Sequence, residues 1–127
     1  MKKQLILVCA AASVFLFCAA DDVPPKVVGT VPATGDRSVD PSLTAMSVTF
    51  DEPMRDGNWS WAYTTKETFP ETTGQPSYQD NYTRNVLPVR LEPNTEYEVW
   101  INSAKFTGFK DQAGNPSQPY KLVFKTR

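Results

Sequence analysis

The sequence predicts an all-β protein, an antiparallel β-sandwich of about seven short strands. Short runs of alternating apolar and polar residues recur along the chain, separated by turn-forming residues. No window of a dozen residues has the 3.6-residue period of an amphipathic helix. Eleven prolines are spread through the 127 residues, and proline inside a helix removes a hydrogen bond and clashes with the preceding turn.

The first twenty residues are predicted to be a signal peptide. Lys2 and Lys3 give a basic start, and the 13 residues 5–17 are apolar apart from Ser13. Residues 18–20 (Cys-Ala-Ala) then supply the small side chains of a cleavage site. We therefore expect an exported protein, periplasmic or extracellular.

Two alternatives to cleavage after residue 20 remain open. One is a membrane anchor, although the 16 residues 5–20 are fewer than the roughly 20 needed to span a bilayer. The other is lipoprotein attachment through Cys18, although the bulky Phe17 departs from the usual lipoprotein signal. In the preferred division, residues 21–25 form a short extended leader that contains two prolines, and residues 26–127 form the domain.

Composition excludes several classes of function for the exported part. The chain has no His, and both of its Cys, at positions 9 and 18, lie in the predicted signal peptide. Thiol nucleophiles, histidine bases and most zinc sites are therefore excluded, and no cofactor is expected. Removing two lysines with the signal peptide leaves eleven basic against fourteen acidic residues, a net charge of −3, which disfavours nucleic acid and anionic membrane surfaces as partners.

No catalytic motif stands out. Asp51 and Glu52 are adjacent at a strand end, so their side chains point to opposite faces and make a poor acid–base pair. We interpret them as solvated turn charges and predict that the protein is not an enzyme.

The predicted strands follow one another at the spacing of a sandwich. Pro88 marks one of them as an edge strand or a bulged one. The strands are expected at 26–31, 44–50, 59–63, near 77–81, at 85–91, from Tyr97 onward and at 120–125.

Tyr97 is predicted to form a tyrosine corner. It follows the turn formers Pro93 and Asn94 and begins an alternating strand. In immunoglobulin-like (Ig-like) sandwiches the hydroxyl of such a tyrosine bonds to backbone a few residues upstream. The alternation turns Tyr97, Val99 and Ile101 inward and Glu98, Trp100 and Asn102 outward.

The long segment 103–119 is predicted to be a loop packed on the domain. Its two phenylalanines, Phe106 and Phe109, are expected to cap one end of the core. Asp111 and Asn115 suit Asx turns, with Gly114 supplying a positive φ. A calcium site on the same oxygens is the alternative, but the spacing is too sparse for an EF-hand loop, so a plain turn is preferred and no metal is expected.

Four short motifs follow one another along the chain. They are Pro-Ala-Thr-Gly at 32–35, Val-Thr-Phe-Asp-Glu-Pro-Met at 48–54, Leu-Glu-Pro-Asn-Thr-Glu-Tyr at 91–97 and Phe-Lys-Asp-Gln-Ala-Gly-Asn-Pro at 109–116. In this order they resemble bacterial Ig-like domains of the SbsA surface-layer type. The resemblance extends over residues 25–127 and implies an Ig-like sandwich of the kind that serves as a spacer on exported proteins. The middle of the chain, 56–82, is more aromatic than the usual domain.

The tryptophans are the candidate binding residues. Trp59, Trp61 and Tyr63 alternate along one strand face, and Trp100 is expected to point outward from a neighbouring strand. Packing against the core is the first interpretation. The alternative is a flat tryptophan platform that binds carbohydrate. We therefore expect a non-enzymatic module whose partner is an envelope protein or, in the alternative, a glycan.

Overall fold

A computed structural model describes residues 22–127, and the predicted signal peptide lies outside these described residues. This part of the chain contains eight β-strands and one turn of 3-10 helix at Lys66–Thr68. None of its helices is long and apolar enough to cross a membrane. The strands are β1 (Val27–Val31), β2 (Ala45–Phe50), β3 (Trp61–Ala62), β4 (Glu71–Thr72), β5 (Ser77–Gln79), β6 (Arg84–Arg90), β7 (Glu96–Ile101) and β8 (Tyr120–Lys125).

The strands form two antiparallel sheets, which confirms the predicted Ig-like β-sandwich. In the first sheet the order is β1-β2-β6, and both β4 and β5 pair with the far side of β6. In the second sheet the order is β3-β7-β8. The two-residue strand β4 lies outside the strands that the sequence predicts. The pairing of β3 with β7 places the strand of Trp61 beside the strand of Trp100, as expected.

The core lies between the sheets and is built by the predicted alternation. Side chains at every second position of β2, β6, β7 and β8 are buried because they point to the same face of each strand. Tyr120 is only half-buried, at the start of β8. The buried apolar residues on these strands are Met46, Val48, Phe50, Leu87, Val89, Tyr97, Val99, Ile101, Leu122 and Phe124.

Pro88 does not mark an edge strand, because β6 is central in its sheet. The N–H of Val89 bonds to the Thr44 carbonyl on the β2 side, so the backbone of Pro88 faces the β4/β5 side. Its carbonyl accepts a 3.0 Å bond from the Thr73 N–H. The neighbouring strand is interrupted after Thr73. No strand therefore lies where the N–H of a residue other than proline would donate, and no ladder hydrogen bond is lost.

Tyr97 has the geometry of a tyrosine corner. Its buried hydroxyl accepts a 2.8 Å hydrogen bond from the backbone N–H of Glu92, and its ring centroid lies 5.2 Å from that of Phe124. Asn94 in the turn has a φ of +53°, which asparagine tolerates better than most residues. The Thr126 hydroxyl donates a 2.6 Å bond to the Glu92 carbonyl, so the turn is also tied to the end of the described chain.

Asn102 is buried, and the prediction that it points outward is wrong. The strand ends at Ile101, and Asn102 adopts a left-handed φ of +57° that turns its side chain under the following loop. There Nδ2 donates 3.0 Å bonds to the carbonyls of Phe109 and Ser117, and Oδ1 accepts a 2.9 Å bond from the Phe109 N–H. This side chain therefore holds the two ends of the loop together.

The two phenylalanines of this loop have different environments. Phe109 is fully buried, and its ring lies 5.3 Å from that of Phe50. Phe106 is 52% exposed, so only Phe109 closes the core. Gly114 has the positive φ that the sequence predicts, +93°, and the Asp111 carboxylate accepts a 2.8 Å bond from the Asn115 N–H.

Candidate functional site: an aromatic cleft at the open edge

A cleft of about 580 Å³ opens between the two sheets, and we call it the aromatic cleft. One side is the edge strand β3 with the residues around it, and the other is the interrupted edge after β4. Five of its lining residues are aromatic. The lining consists of Trp59, Ser60, Trp61, Ala62, Tyr63, Phe69, Thr72, Gly74, Gln75, Pro76, Leu87 and Phe106.

Trp61 reaches from the cleft into the core. It pairs with the inward-facing Ile101, and directly paired residues of antiparallel strands project to the same face. Its indole N–H donates a 2.7 Å hydrogen bond to Oδ1 of the buried Asn85 on the opposite sheet. Its ring meets Phe109 edge-on at 5.7 Å. These contacts fix the indole from two directions.

Trp59 packs against Tyr78. Their ring centroids lie 6.4 Å apart, and the Tyr78 hydroxyl donates a 2.8 Å bond to the Asn58 carbonyl. Burial raises the pKa of the Tyr78 phenol, and the nearby carboxylate of Asp56 adds to the rise. The phenol therefore remains a hydrogen-bond donor at every physiological pH.

Gly108 packs directly on the backbone of Trp59. A Cβ at this position would clash with the Trp59 carbonyl oxygen, so only glycine fits without a shift of backbone. The N–H of Gly108 also donates a 2.7 Å bond to Oγ of Ser60. The loop that carries Phe106 is thereby anchored beside the cleft.

The mouth of the cleft is formed by more exposed rings. Tyr63, 45% exposed, packs on Phe69 with their ring centroids 5.3 Å apart. Phe69 follows the 3-10 turn Lys66–Thr68. The opposite side of the cleft contains Gly74, which lies against the ring of Pro88. Pro88, which faces the interruption after β4, therefore also supports this side of the cleft.

A second cleft of about 370 Å³ adjoins the first and contains Trp100. Tyr63 and Phe106 line both clefts, so these two side chains lie where the clefts meet. Lys105 lines the second cleft, with its Nζ 5.7 Å from the Phe106 ring. Lys121, paired with Trp100 across the strands, places its Nζ 5.8 Å from the indole.

The three predicted binding residues therefore do not lie on one flat surface. Trp59 and Trp61 are half-buried against the core and line the aromatic cleft, whereas Trp100 lies on the outer face and lines the second cleft. Sequence analysis did not single out Phe69, Phe106 or Gln75 as site residues. The signal that could have indicated the first of them was the unusually aromatic segment 56–82.

The aromatic cleft is uncharged. None of its lining residues is Asp, Glu, Lys or Arg. Among residues 22–127 no group of three or more His, Cys, Asp or Glu side chains is placed to hold a metal ion. The cleft offers apolar rings together with the hydroxyl and amide groups of Ser60, Thr72 and Gln75, which suits binding of a neutral molecule.

Two facing antiparallel sheets joined at a tyrosine corner define an immunoglobulin-like β-sandwich. A profile described as "Bacterial Ig-like domain" matches residues 21–126, and the chain belongs to this family.

Two solved structures are similar to the chain. One is the S-layer protein rSbsC(31-844), at a TM-score of 0.50 and 19% identity, covering 83% of this chain and 14% of that one. The other, domains 1–6 of the surface layer protein SbsC, has a TM-score of 0.49 and 21% identity, with 80% and 13% covered. The chain thus corresponds to about one seventh of the length of these relatives. A search of curated proteins gave no match.

Proposed function

We propose that this protein is an exported, non-enzymatic Ig-like module with a structural or protein-interaction role at the cell envelope. The observation that carries the proposal is the family match over residues 21–126. The likeness to a domain of an S-layer protein supports an envelope setting. The absence of His and Cys after residue 18 is consistent with a role that involves no catalysis.

Export is proposed to remove residues 1–20, so that the mature protein starts at Asp21. The family match begins at this same residue, which supports a domain boundary there. Attachment of a lipid to Cys18 is the alternative route to the same compartment. In either case the sandwich would lie outside the cytoplasm.

Cell fractionation followed by intact-mass measurement tests this proposal. The protein is expressed in its native bacterium, recovered from cytoplasm, envelope and medium, and weighed. We expect a species beginning at Asp21 outside the cytoplasm. A species that begins at Cys18 and carries added lipid would instead indicate a lipid-anchored protein. A full-length species confined to the cytoplasm would contradict the proposal. A variant with Leu7 and Val8 replaced by Arg, which interrupts the apolar run, is the control and should stay in the cytoplasm.

The second candidate function is carbohydrate binding. The observation that favours it is the aromatic cleft, in which Trp59 and Trp61 stand beside uncharged polar side chains, with Trp100 in the adjoining cleft. In this form the tryptophans are walls of a groove and not the flat platform that the sequence suggested. The two candidates are compatible, since an envelope module can hold a glycan.

A further inference from the structure

We infer that the aromatic cleft binds an uncharged sugar residue of an oligosaccharide that continues past Tyr63 and Phe106 into the second cleft. This inference rests on the second candidate function and names its ligand class and subsites. A pyranose has apolar C–H faces and a rim of hydroxyl groups. The cleft provides the matching chemistry, because aromatic rings and neutral polar groups share its walls.

Charge distinguishes this ligand from other candidates. An anionic group in the aromatic cleft would meet no cation among the lining residues, and a cationic group would meet no carboxylate. Burying either charge unpaired would be costly. A purely apolar ligand would form no hydrogen bonds with the polar residues that line the cleft. Thr72 and Gln75 are exposed, and no hydrogen bond of their side chains occurs within residues 22–127, so both have hydrogen-bonding capacity for ligand hydroxyls.

The size and connection of the clefts indicate more than one sugar residue. The volume of about 580 Å³ lies in the usual range for small-ligand sites. The second cleft adds about 370 Å³ on the other side of Tyr63 and Phe106. A chain that crosses these two rings would contact both clefts, whereas a monosaccharide would fill one alone.

The walls nearest the core are fixed before any ligand arrives. Trp61 is bonded to Asn85, Trp59 is packed on Tyr78, and Gly108 holds the Phe106 loop against the Trp59 backbone. A site whose walls are already ordered loses little conformational entropy on binding. The rings at the mouth are the exposed ones, and they are therefore the best positions for variants that change binding and leave the fold intact.

The test is calorimetric titration of the purified protein with hexasaccharides. The neutral probes are cellohexaose, maltohexaose and the N-acetylglucosamine hexamer, and the acidic probe is hexagalacturonate. At least one neutral hexamer is expected to bind, about tenfold or more tighter than its monosaccharide.

Phe106→Ala should weaken that binding about tenfold. Gln75→Trp, which fills the cleft from an exposed position, should abolish it. Val28→Ala removes an apolar side chain that is 62% exposed on β1, outside the cleft, and serves as the control, with binding unchanged.

Each outcome has a distinct meaning. Lys105 and Lys121 beside the second cleft could attract an acidic hexamer, so hexagalacturonate is also titrated into a Lys105→Gln/Lys121→Gln variant. If this variant still binds hexagalacturonate more tightly than every neutral hexamer, the uncharged sugar in the aromatic cleft is contradicted, whereas carbohydrate binding is not. If a neutral hexamer binds equally well to the Phe106→Ala and Gln75→Trp variants, the aromatic cleft is not its binding site. Failure of every hexamer at millimolar concentration would overturn both this inference and the carbohydrate candidate. It would not bear on the envelope module, since that proposal rests on the family match and is tested separately by fractionation and mass.

Discussion

Replacing Phe109 by Ala should lower the free energy of unfolding by about 3–5 kcal/mol, the usual range for a buried phenylalanine. The side chain is fully buried and joins two parts of the core, with ring centroids 5.3 Å from Phe50 and 5.7 Å from Trp61. Truncation leaves a cavity that rigid β-sheets on either side cannot fill. Urea denaturation followed by circular dichroism measures the loss.

Phe106→Ala is the matched control for this prediction. It changes the same residue type in the same loop, but Phe106 is 52% exposed, so the expected change is within about 0.5 kcal/mol. Equal losses for the two variants would contradict the assignment of Phe109 alone to the core.

Replacing Asn102 by Gly should lower the free energy of unfolding by about 3 kcal/mol. Glycine accepts the φ of +57° without strain, so the change isolates the side-chain hydrogen bonds. Three bonds are lost. The Phe109 carbonyl keeps its bond from the Ser117 N–H, so the groups left without this partner are the Phe109 N–H and the Ser117 carbonyl. Unsatisfied buried groups cost about 1–3 kcal/mol each, partly recovered where water enters.

Asn94→Gly is the corresponding control. Asn94 has almost the same backbone conformation, with φ at +53°, but it is exposed and accepts a single side-chain bond, from Lys125. The expected change in the same urea experiment is within about 0.5 kcal/mol. If Asn102→Gly were as mild as Asn94→Gly, the network would not hold the loop as the structure indicates.

The sandwich was predictable because its core strands are buried on one face. In β2, β6 and β7 the inward-facing residues recur at every second position and most of them are apolar, so this alternation is visible in the sequence without tertiary information. The tyrosine corner was predictable for a similar reason, since its turn formers and Tyr97 are local in sequence. The additional strand β4 was missed because two residues carry no period.

Tertiary contacts decided the features that the sequence misplaced. In the sequence, Asn102 continues the alternation of β7 and would point outward. In the structure the strand ends one residue earlier, and the left-handed backbone conformation of Asn102 turns its side chain inward. Pro88 was interpreted as the mark of an edge or bulged strand because its missing N–H needs an open side. That open side comes from an interruption in the neighbouring strand, which local sequence cannot show.

The candidate site was predictable only in part. The aromatic segment drew attention to Trp59 and Trp61, and both line the cleft. Packing against the core, the first interpretation from the sequence, describes both side chains, and Trp61 has a partner on the opposite sheet in Asn85; the alternative of a flat platform does not describe this geometry. The contribution of Phe106 comes from a loop more than forty positions later in the chain, placed by Gly108 on the backbone of Trp59.

Acrylamide quenching of three single-tryptophan variants tests the geometry of the cleft most directly. In each variant two of Trp59, Trp61 and Trp100 are replaced by Phe, and fold is checked by circular dichroism. The structure predicts that the Trp61 indole, bonded to Asn85 and edge-on to Phe109, quenches several-fold more slowly than free N-acetyltryptophanamide. A Trp61 that quenches as fast as the free amide in a folded variant would contradict the inward-facing wall and, with it, the cleft.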